Sequence, residues 1–130
     1  MNSTTKNIIL LFVIVIIAVI FMCSASGTGS NQVQVPNSEI KDGVQYITIN
    51  AKGGYSPKSS LAKSGIPTKL IVKTDNTFDC SASLAIRSIR YQKILPQNGK
   101  ETIDIGTPKA GDELRGVCSM GMYSFVVNFK

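Results

Sequence analysis

The chain has 130 residues, carries a formal net charge of +6, and contains no histidine. Without imidazole it cannot form a Ser-His-Asp triad, a Cys-His nucleophile pair or a histidine-ligated zinc or blue-copper centre. It also lacks a glycine-rich phosphate loop, and its acidic residues fall in turns or on strand faces, so we expect no enzyme. The basic surplus would suit an acidic protein partner, and no nucleic-acid-binding motif accompanies it.

The first 25 residues differ from the rest because residues 8–22 are an unbroken apolar run. A membrane-spanning helix needs roughly 17 to 25 such residues, so we predict a single transmembrane anchor over residues 1–25. A cleaved signal peptide and a lipoprotein modified at Cys23 are the alternatives, although the cleavage sites are only fair and Met22 precedes that cysteine. Lys6, before the run, favours an external domain.

Residues 26–39 are predicted to form a flexible linker, because Ser, Gly, Asn and Gln dominate them and cannot bury enough surface to order the chain. Residues 40–130 then make one domain of about 90 residues, which is enough for a single hydrophobic core.

Short stretches of β-forming residues alternate with turn signals along this domain. Strands are predicted at residues 44–50, 67–74, 102–105 and 123–129, and residues 84–89 are predicted to be a strand or a loop. Gly, Pro, Asn and Asp mark turns between them, and no segment has helical periodicity. The spacing predicts an all-β domain, either a β-sandwich or a small barrel.

Sulfur-bearing residues stand out just before the last predicted strand. Residues 118–122, here named the sulfur loop, read Cys-Ser-Met-Gly-Met, and Cys80 lies upstream, just after a predicted turn. Thiolate and thioether sulfurs are soft ligands that select Cu(I) over harder cations. In an extended segment Cys118, Met120 and Met122 would share one face, whereas a tight turn at Gly121 would gather them differently.

Two plainer interpretations remain open on the residues alone. Met120 and Met122 could fill the core, as methionine often does. Cys80 and Cys118 could form a structural disulfide in an external domain. The alternative function is then an exported, disulfide-bonded β-sandwich that binds a partner without metal.

The pattern resembles the membrane-anchored, cupredoxin-fold Cu(I) chaperones of streptococci over residues 53–129. The matching segments are Gly-Tyr-Ser-Pro at 54–57, Lys-Ser-Gly-Ile-Pro at 63–67, Cys80, Pro108-x-x-Gly111 and the sulfur loop. The resemblance implies a cupredoxin-like β-sandwich that binds two Cu(I) ions. It implies that Cys80 and Cys118 form the heart of the metal site, and that Met120 and Met122 complete a second, weaker position.

The same resemblance implies a function. Such chaperones pass copper to the N-terminal metal-binding domain of a copper-exporting P-type ATPase and so support copper resistance. Delivery there requires a copper domain facing the cytoplasm from a single-pass anchor in the cell membrane, and we prefer this to the orientation that Lys6 favours. Electron-transfer cupredoxins use two histidines and a cysteine. Cys80 takes the place of the upstream histidine, so blue-copper redox function is not expected.

Overall fold

The computed structural model describes residues 3–23 and 37–130. The first range is a single helix, α1 (Ser3–Cys23), with exposed apolar side chains from Ile8 to Ile17. In neither of the described ranges is there a helix with the length and apolar character needed to cross a membrane. The helix at the N-terminus is confirmed, but the predicted transmembrane span is not supported. Most of the predicted linker lies outside the described residues.

Residues 37–130 fold into a β-sandwich of two five-stranded sheets. The first sheet contains β1 (Ser38–Lys41), β2 (Val44–Ala51), β3 (Tyr55–Ser56), β5 (Thr68–Thr74) and β8 (Gly99–Gly106). The second sheet contains β4 (Ser59–Ala62), β6 (Ser83–Ile86), β7 (Tyr91–Ile94), β9 (Glu113–Cys118) and β10 (Ser124–Phe129). Two short 3₁₀ turns, Cys80–Ala82 and Arg87–Ile89, flank β6.

The strand order places the ends of distant segments side by side. In the first sheet the order is β1-β2-β5-β8, with β2 parallel to β5 and β3 paired to β2. In the second sheet the order is β4-β10-β9-β6-β7, and β6 pairs antiparallel with β9 through Leu84 opposite Cys118. Because the turn Cys80–Ala82 leads directly into β6, this register brings the two cysteine-bearing segments to one end of the sandwich.

The core forms from alternating residues of strands in both sheets. β2 contributes Ile47 and Ile49, which are fully buried, and β10 buries Phe125, Val127 and Phe129. Each such side chain stabilises the fold by about 1.5–3 kcal/mol through removal of apolar surface from water. The strands predicted from their β-forming residues therefore make the core through this alternation, and the all-β prediction is confirmed.

The structure departs from the predicted elements in two ways. The segment at residues 84–89, predicted as a strand or a loop, is a strand only to Ile86, because the chain enters a 3₁₀ turn that closes at Arg90 with a φ of +54°. The strand β9 and four short strands, β1, β3, β4 and β7, were not predicted. Most of β4 (Ser-Ser-Leu-Ala) has little β propensity and forms through parallel pairing with β10.

A glycine in β9 makes room for an aromatic side chain of β10. Gly116 lies opposite Phe125 in the register, and a Cβ atom added at Gly116 would lie 2.1 Å from the Phe125 ring. The same ring meets Tyr55 edge-on, with centroids 5.2 Å apart. Gly116 therefore lets Phe125 pack flat on β9 and connect the two sheets directly beneath Cys118.

We predict that Gly116→Ala destabilises the domain by about 1–3 kcal/mol, because the new methyl group overpacks the Phe125 ring. Urea unfolding at equilibrium measures the change. Ser124→Ala, at an exposed position of β10, is the control and should stay within about 0.5 kcal/mol of the parent. Equal stabilities for Gly116→Ala and the control would contradict this packing role.

Candidate metal centre

Cys118 is the last residue of β9 and its side chain is only 1% exposed. Three hydrogen bonds hold the chain after it in a tight turn. The Cys118 amide donates to the carbonyl oxygen of Tyr123 at 3.0 Å, the Gly121 amide donates to the carbonyl oxygen of Cys118 at 2.9 Å, and the Tyr123 amide donates to Cys118 Sγ at 3.4 Å. Gly121 permits the turn because its φ is +71°.

Cys80 begins a 3₁₀ turn that the preceding aspartate caps. Asp79 accepts hydrogen bonds through Oδ1 from the amide and the hydroxyl of Ser81, at 2.8 and 2.6 Å. Its other oxygen, Oδ2, accepts from the amide of Gly53 at 2.9 Å. The Ser81 hydroxyl and the amides of Ser81 and Gly53 lower the pKa of the Asp79 carboxyl. Cys80 is thereby fixed next to a charged cap and tied to the segment before β3.

Cys80 and Cys118 are both free thiols, and they lie close enough for each to shift the pKa of the other. The pKa of the Cys80 thiol is raised, chiefly because it donates to Cys118. Burial raises the pKa of Cys118, but the hydrogen bonds from Cys80 and from the backbone amides of Tyr123, Met122 and Met120 outweigh it, so the net direction is downward. The pair therefore ionises in two steps, with the first negative charge on Cys118.

The sulfur loop is a turn, and its methionines face solvent. β9 ends at Cys118, so the extended, same-face arrangement is wrong and the tight turn at Gly121 is correct. Met120 is 75% exposed and Met122 is 65% exposed, so their interpretation as core fillers is also wrong. The loop thus presents two exposed, neutral thioether sulfurs beside a half-buried and a buried thiol.

The donors assembled here suit a soft monovalent ion. Across residues 3–23 and 37–130, no group of three or more His, Cys, Asp or Glu side chains could hold a metal. The set that remains is two thiols with two thioethers in the adjacent turn. Such a set satisfies low-coordinate Cu(I), whereas Zn(II) usually requires four N, O or S ligands. The four predicted ligand positions therefore fit copper by chemistry, and their binding of copper stays a prediction.

Two residues beside the thiols were missed by sequence reasoning. Asp79 has a local signal, because an aspartate two positions before a serine often accepts from its backbone amide. Tyr55 lies in the Gly-Tyr-Ser-Pro segment that carries the resemblance, but it received no role, since its position depends on packing between sheets. It is 3% exposed, and burial together with the negative charges of Cys118, Cys80 and Asp79 raises the pKa of its phenol.

A groove of about 740 Å³ opens beside Cys118 on the second sheet and reaches the sulfur loop at Ser119 and Gly121. Arg87, Arg90 and Arg115 line it. Arg115 pairs with Glu113 at 3.1 Å, while no salt bridge within the described part of the chain involves either of the other two arginines. The groove is therefore positively charged and adjoins the proposed ligands.

Two solved structures share this fold at low sequence identity. One is the metal-binding domain of the Cu(I)-exporting P-type ATPase CopA of Streptococcus pneumoniae, solved with Cu(I). It is 19% identical, has a TM-score of 0.63, and the match covers 72% of this chain and 92% of that one. The other is a copper-binding protein solved by NMR in the apo form. It is 22% identical with a TM-score of 0.63, and the match covers 72% of this chain and 94% of that one.

At these identities the likeness to the solved structures shows the fold alone. A comparison with curated protein sequences gives no match. The family, in contrast, is shown directly by sequence, since the profile of the cupredoxin-like domain matches residues 13–127, which is most of the chain. The chain therefore belongs to the cupredoxin-like domain family.

Proposed function

We propose that this protein is a Cu(I) chaperone that sequesters copper and passes it by ligand exchange to a copper-exporting P-type ATPase, in support of copper resistance. The observation that carries the proposal is the pair of free thiols, Cys80 and Cys118, brought to one end of the sandwich, with two exposed methionines in the adjoining turn. Membership of the cupredoxin-like family supports it. The fold shared with a Cu(I)-exporting ATPase domain points to the acceptor. The proposal includes no enzymatic step.

In this function the four sulfurs have different roles, which follow from their charge and their exposure. The thiolates supply affinity, because an anionic sulfur attracts a cation more strongly than a neutral one. Met120 and Met122 are neutral and exposed, so they provide a weaker position at which a second Cu(I) ion enters or leaves. An acceptor sulfur can then bind the low-coordinate ion before the donor releases it, and copper is never free in solution.

The compartment belongs to the same proposal. Delivery to an N-terminal ATPase domain requires the copper domain to act in the cytoplasm, at the cell membrane where the exporter resides. Labelling of Cys80 with a membrane-impermeant maleimide in intact cells tests the orientation. Labelling only after lysis supports a cytoplasmic domain. Cell fractionation tests the association with the membrane.

The alternative, an exported module held by a disulfide between Cys80 and Cys118, requires an oxidised pair. Both cysteines are free thiols in the structure. The mass of the native protein before and after reduction distinguishes the two hypotheses, since a disulfide gains two hydrogens on reduction and a thiol pair gains none. Alkylation that is blocked only when Cu(I) is present supports the chaperone.

The first prediction concerns the thiol ligands. Cys80→Ser and Cys118→Ser should each lower Cu(I) affinity more than about a hundredfold, because loss of a ligand exceeds the 10- to 100-fold effect typical of residues behind the ligands. Anaerobic competition against a Cu(I) chelator measures this. Cys23→Ser is the matched control and should bind like the parent. Met120→Leu and Met122→Leu should mainly weaken the second equivalent. Unchanged affinity in both thiol variants contradicts the proposal.

The second prediction is that Cu(I) affinity rises with pH. Copper must displace the thiol protons, so affinity rises about tenfold per pH unit for each proton displaced. Since the pKa of Cys80 is raised and that of Cys118 is lowered, the range between the two values should show the slope of one proton, from Cys80. Chelator competition across a pH series measures it. Met120→Leu is the control, because a thioether carries no proton and the slope should persist. A flat profile would exclude Cys80 as a thiolate ligand.

The third prediction concerns the basic groove. An acidic surface on the acceptor would be attracted to Arg87 and Arg90, and such steering raises association rates by tenfold or more. Arg87→Gln combined with Arg90→Gln should slow Cu(I) transfer to the ATPase metal-binding domain about three- to tenfold, an effect that shrinks as salt is added. Transfer kinetics at several ionic strengths measure it.

The matched control changes the same charge on the other sheet. Lys73 and Lys100 are exposed neighbours on β5 and β8, and replacement of both by Gln removes two positive charges without touching the groove. Near-parental transfer is expected from this variant. If both double variants slow transfer equally, net charge and not the groove governs the encounter.

A further inference from the structure

The Tyr55 hydroxyl is a buried donor without an acceptor. Among the described residues it is the one buried side-chain nitrogen or oxygen atom that lacks a hydrogen-bond partner. A tyrosine hydroxyl usually finds a partner when it is buried, because leaving it unpaired costs free energy.

The position of this phenol is fixed by contacts that also build the metal centre. The ring packs edge-on against Phe125 at an interplanar angle of 74°, and β3 pairs Tyr55 with Ala51. Immediately before it, Gly53 donates to the cap Asp79, and Gly54 lies so close to Tyr123 that an added Cβ would be 3.4 Å from the ring. The segment that contains Tyr55 therefore contacts Asp79, which precedes Cys80, and Tyr123, whose amide donates to Cys118.

The two thiols, which belong to or pack against the same buried cluster as Tyr55, become stronger acceptors when copper binds. A neutral thiol is a weak acceptor, whereas a thiolate accepts strongly. Cys118 lies with Tyr55 in the same buried cluster, and Cys80 packs against that cluster. Burial and the charges of the two cysteines raise the pKa of Tyr55, so its hydroxyl keeps the proton that it needs to donate.

We propose that Tyr55 is a positioning residue for copper, whose hydroxyl donates a hydrogen bond to the Cys118 thiolate when Cu(I) is bound. The inference rests on the proposed function. The Tyr55 hydroxyl has no partner in the structure, and the proposed bond forms when both sulfurs carry negative charge. A donor that gains an acceptor only when Cu(I) is bound makes Cu(I) binding more favourable. The packing between the sheets, which positions Tyr55, therefore affects copper affinity.

Tyr55→Phe tests the inference, because it removes the hydroxyl and retains the ring against Phe125. We expect Cu(I) affinity to fall about tenfold, as for loss of one hydrogen bond to a charged group. We also expect the metal-free domain to be as stable as the parent or more stable, since an unpaired buried group is removed. The ultraviolet absorption band of the copper-bound thiolates should shift, because the hydroxyl no longer stabilises the sulfur charge.

A residue with only a structural role would behave differently, since its loss would lower stability and affinity together and leave the band unchanged. Tyr91→Phe is the matched control. The Tyr91 hydroxyl is bonded to Glu101 at 3.3 Å, so its loss should leave Cu(I) affinity and the absorption band unaltered.

The outcomes separate this inference from the function on which it rests. If the parent competes for Cu(I) and Tyr55→Phe competes equally well with an unshifted band, the role of Tyr55 is overturned and the chaperone proposal stands. If the parent itself fails to compete for Cu(I), both fall together. Lower affinity with unreduced stability and a shifted band supports the hydrogen bond to Cys118.

Discussion

The pairing of β6 with β9 is the constraint on which the candidate site depends. Leu84 lies opposite Cys118, and the amide of Ser119 donates to the carbonyl oxygen of Ser83 at 3.1 Å. Cys80 begins the turn that leads into β6, so the register of these two strands also sets the distance between the thiols. The core of the sandwich, and not a bound metal, therefore brings the two cysteines together. A ligand pair ordered in advance loses less conformational entropy when an ion binds.

The sulfur groups of the candidate site differ in charge and exposure between its buried side and its exposed side. Cys118 is buried and receives hydrogen bonds from backbone amides, which favour its ionised form, whereas Cys80 retains its proton and Met120 and Met122 extend into solvent. Retention requires charge and burial, and exchange requires exposed, neutral ligands. The fold provides both kinds of group because β9 ends at the buried Cys118 and a turn with exposed methionines follows it. The same ending explains why the methionines do not enter the core.

A feature of the structure could be predicted from the sequence when local interactions form it, and could not when it depends on residues distant in sequence. Strands rich in β-forming residues, such as β2 and β10, could be predicted because that composition is local to each segment. The short strands β3 and β4 could not, since they form only through pairing with β2 and β10. The composition of the sulfur loop identified its chemistry but not its conformation. Tyr55 belongs to a segment that carries the resemblance, but its role could not be predicted, because its burial depends on Phe125 and Gly116, which are distant in sequence.

The absence of histidine has a physical consequence beyond the loss of blue-copper chemistry. Imidazole ligands are neutral, whereas a Cu(I) ion held by two thiolates forms a centre with net negative charge, which must be stabilised by donors around it. The structure has such donors in three places. Backbone amides of the turn donate to Cys118, the Tyr55 hydroxyl lies unpaired in the core beside it, and arginines line the adjoining groove. Neutral donors inside a low-dielectric core stabilise the sulfur charge without a counter-ion that would repel the metal. The arginines of the groove lie at the surface, where in the proposed function they attract an acidic acceptor and leave copper affinity to the sulfurs.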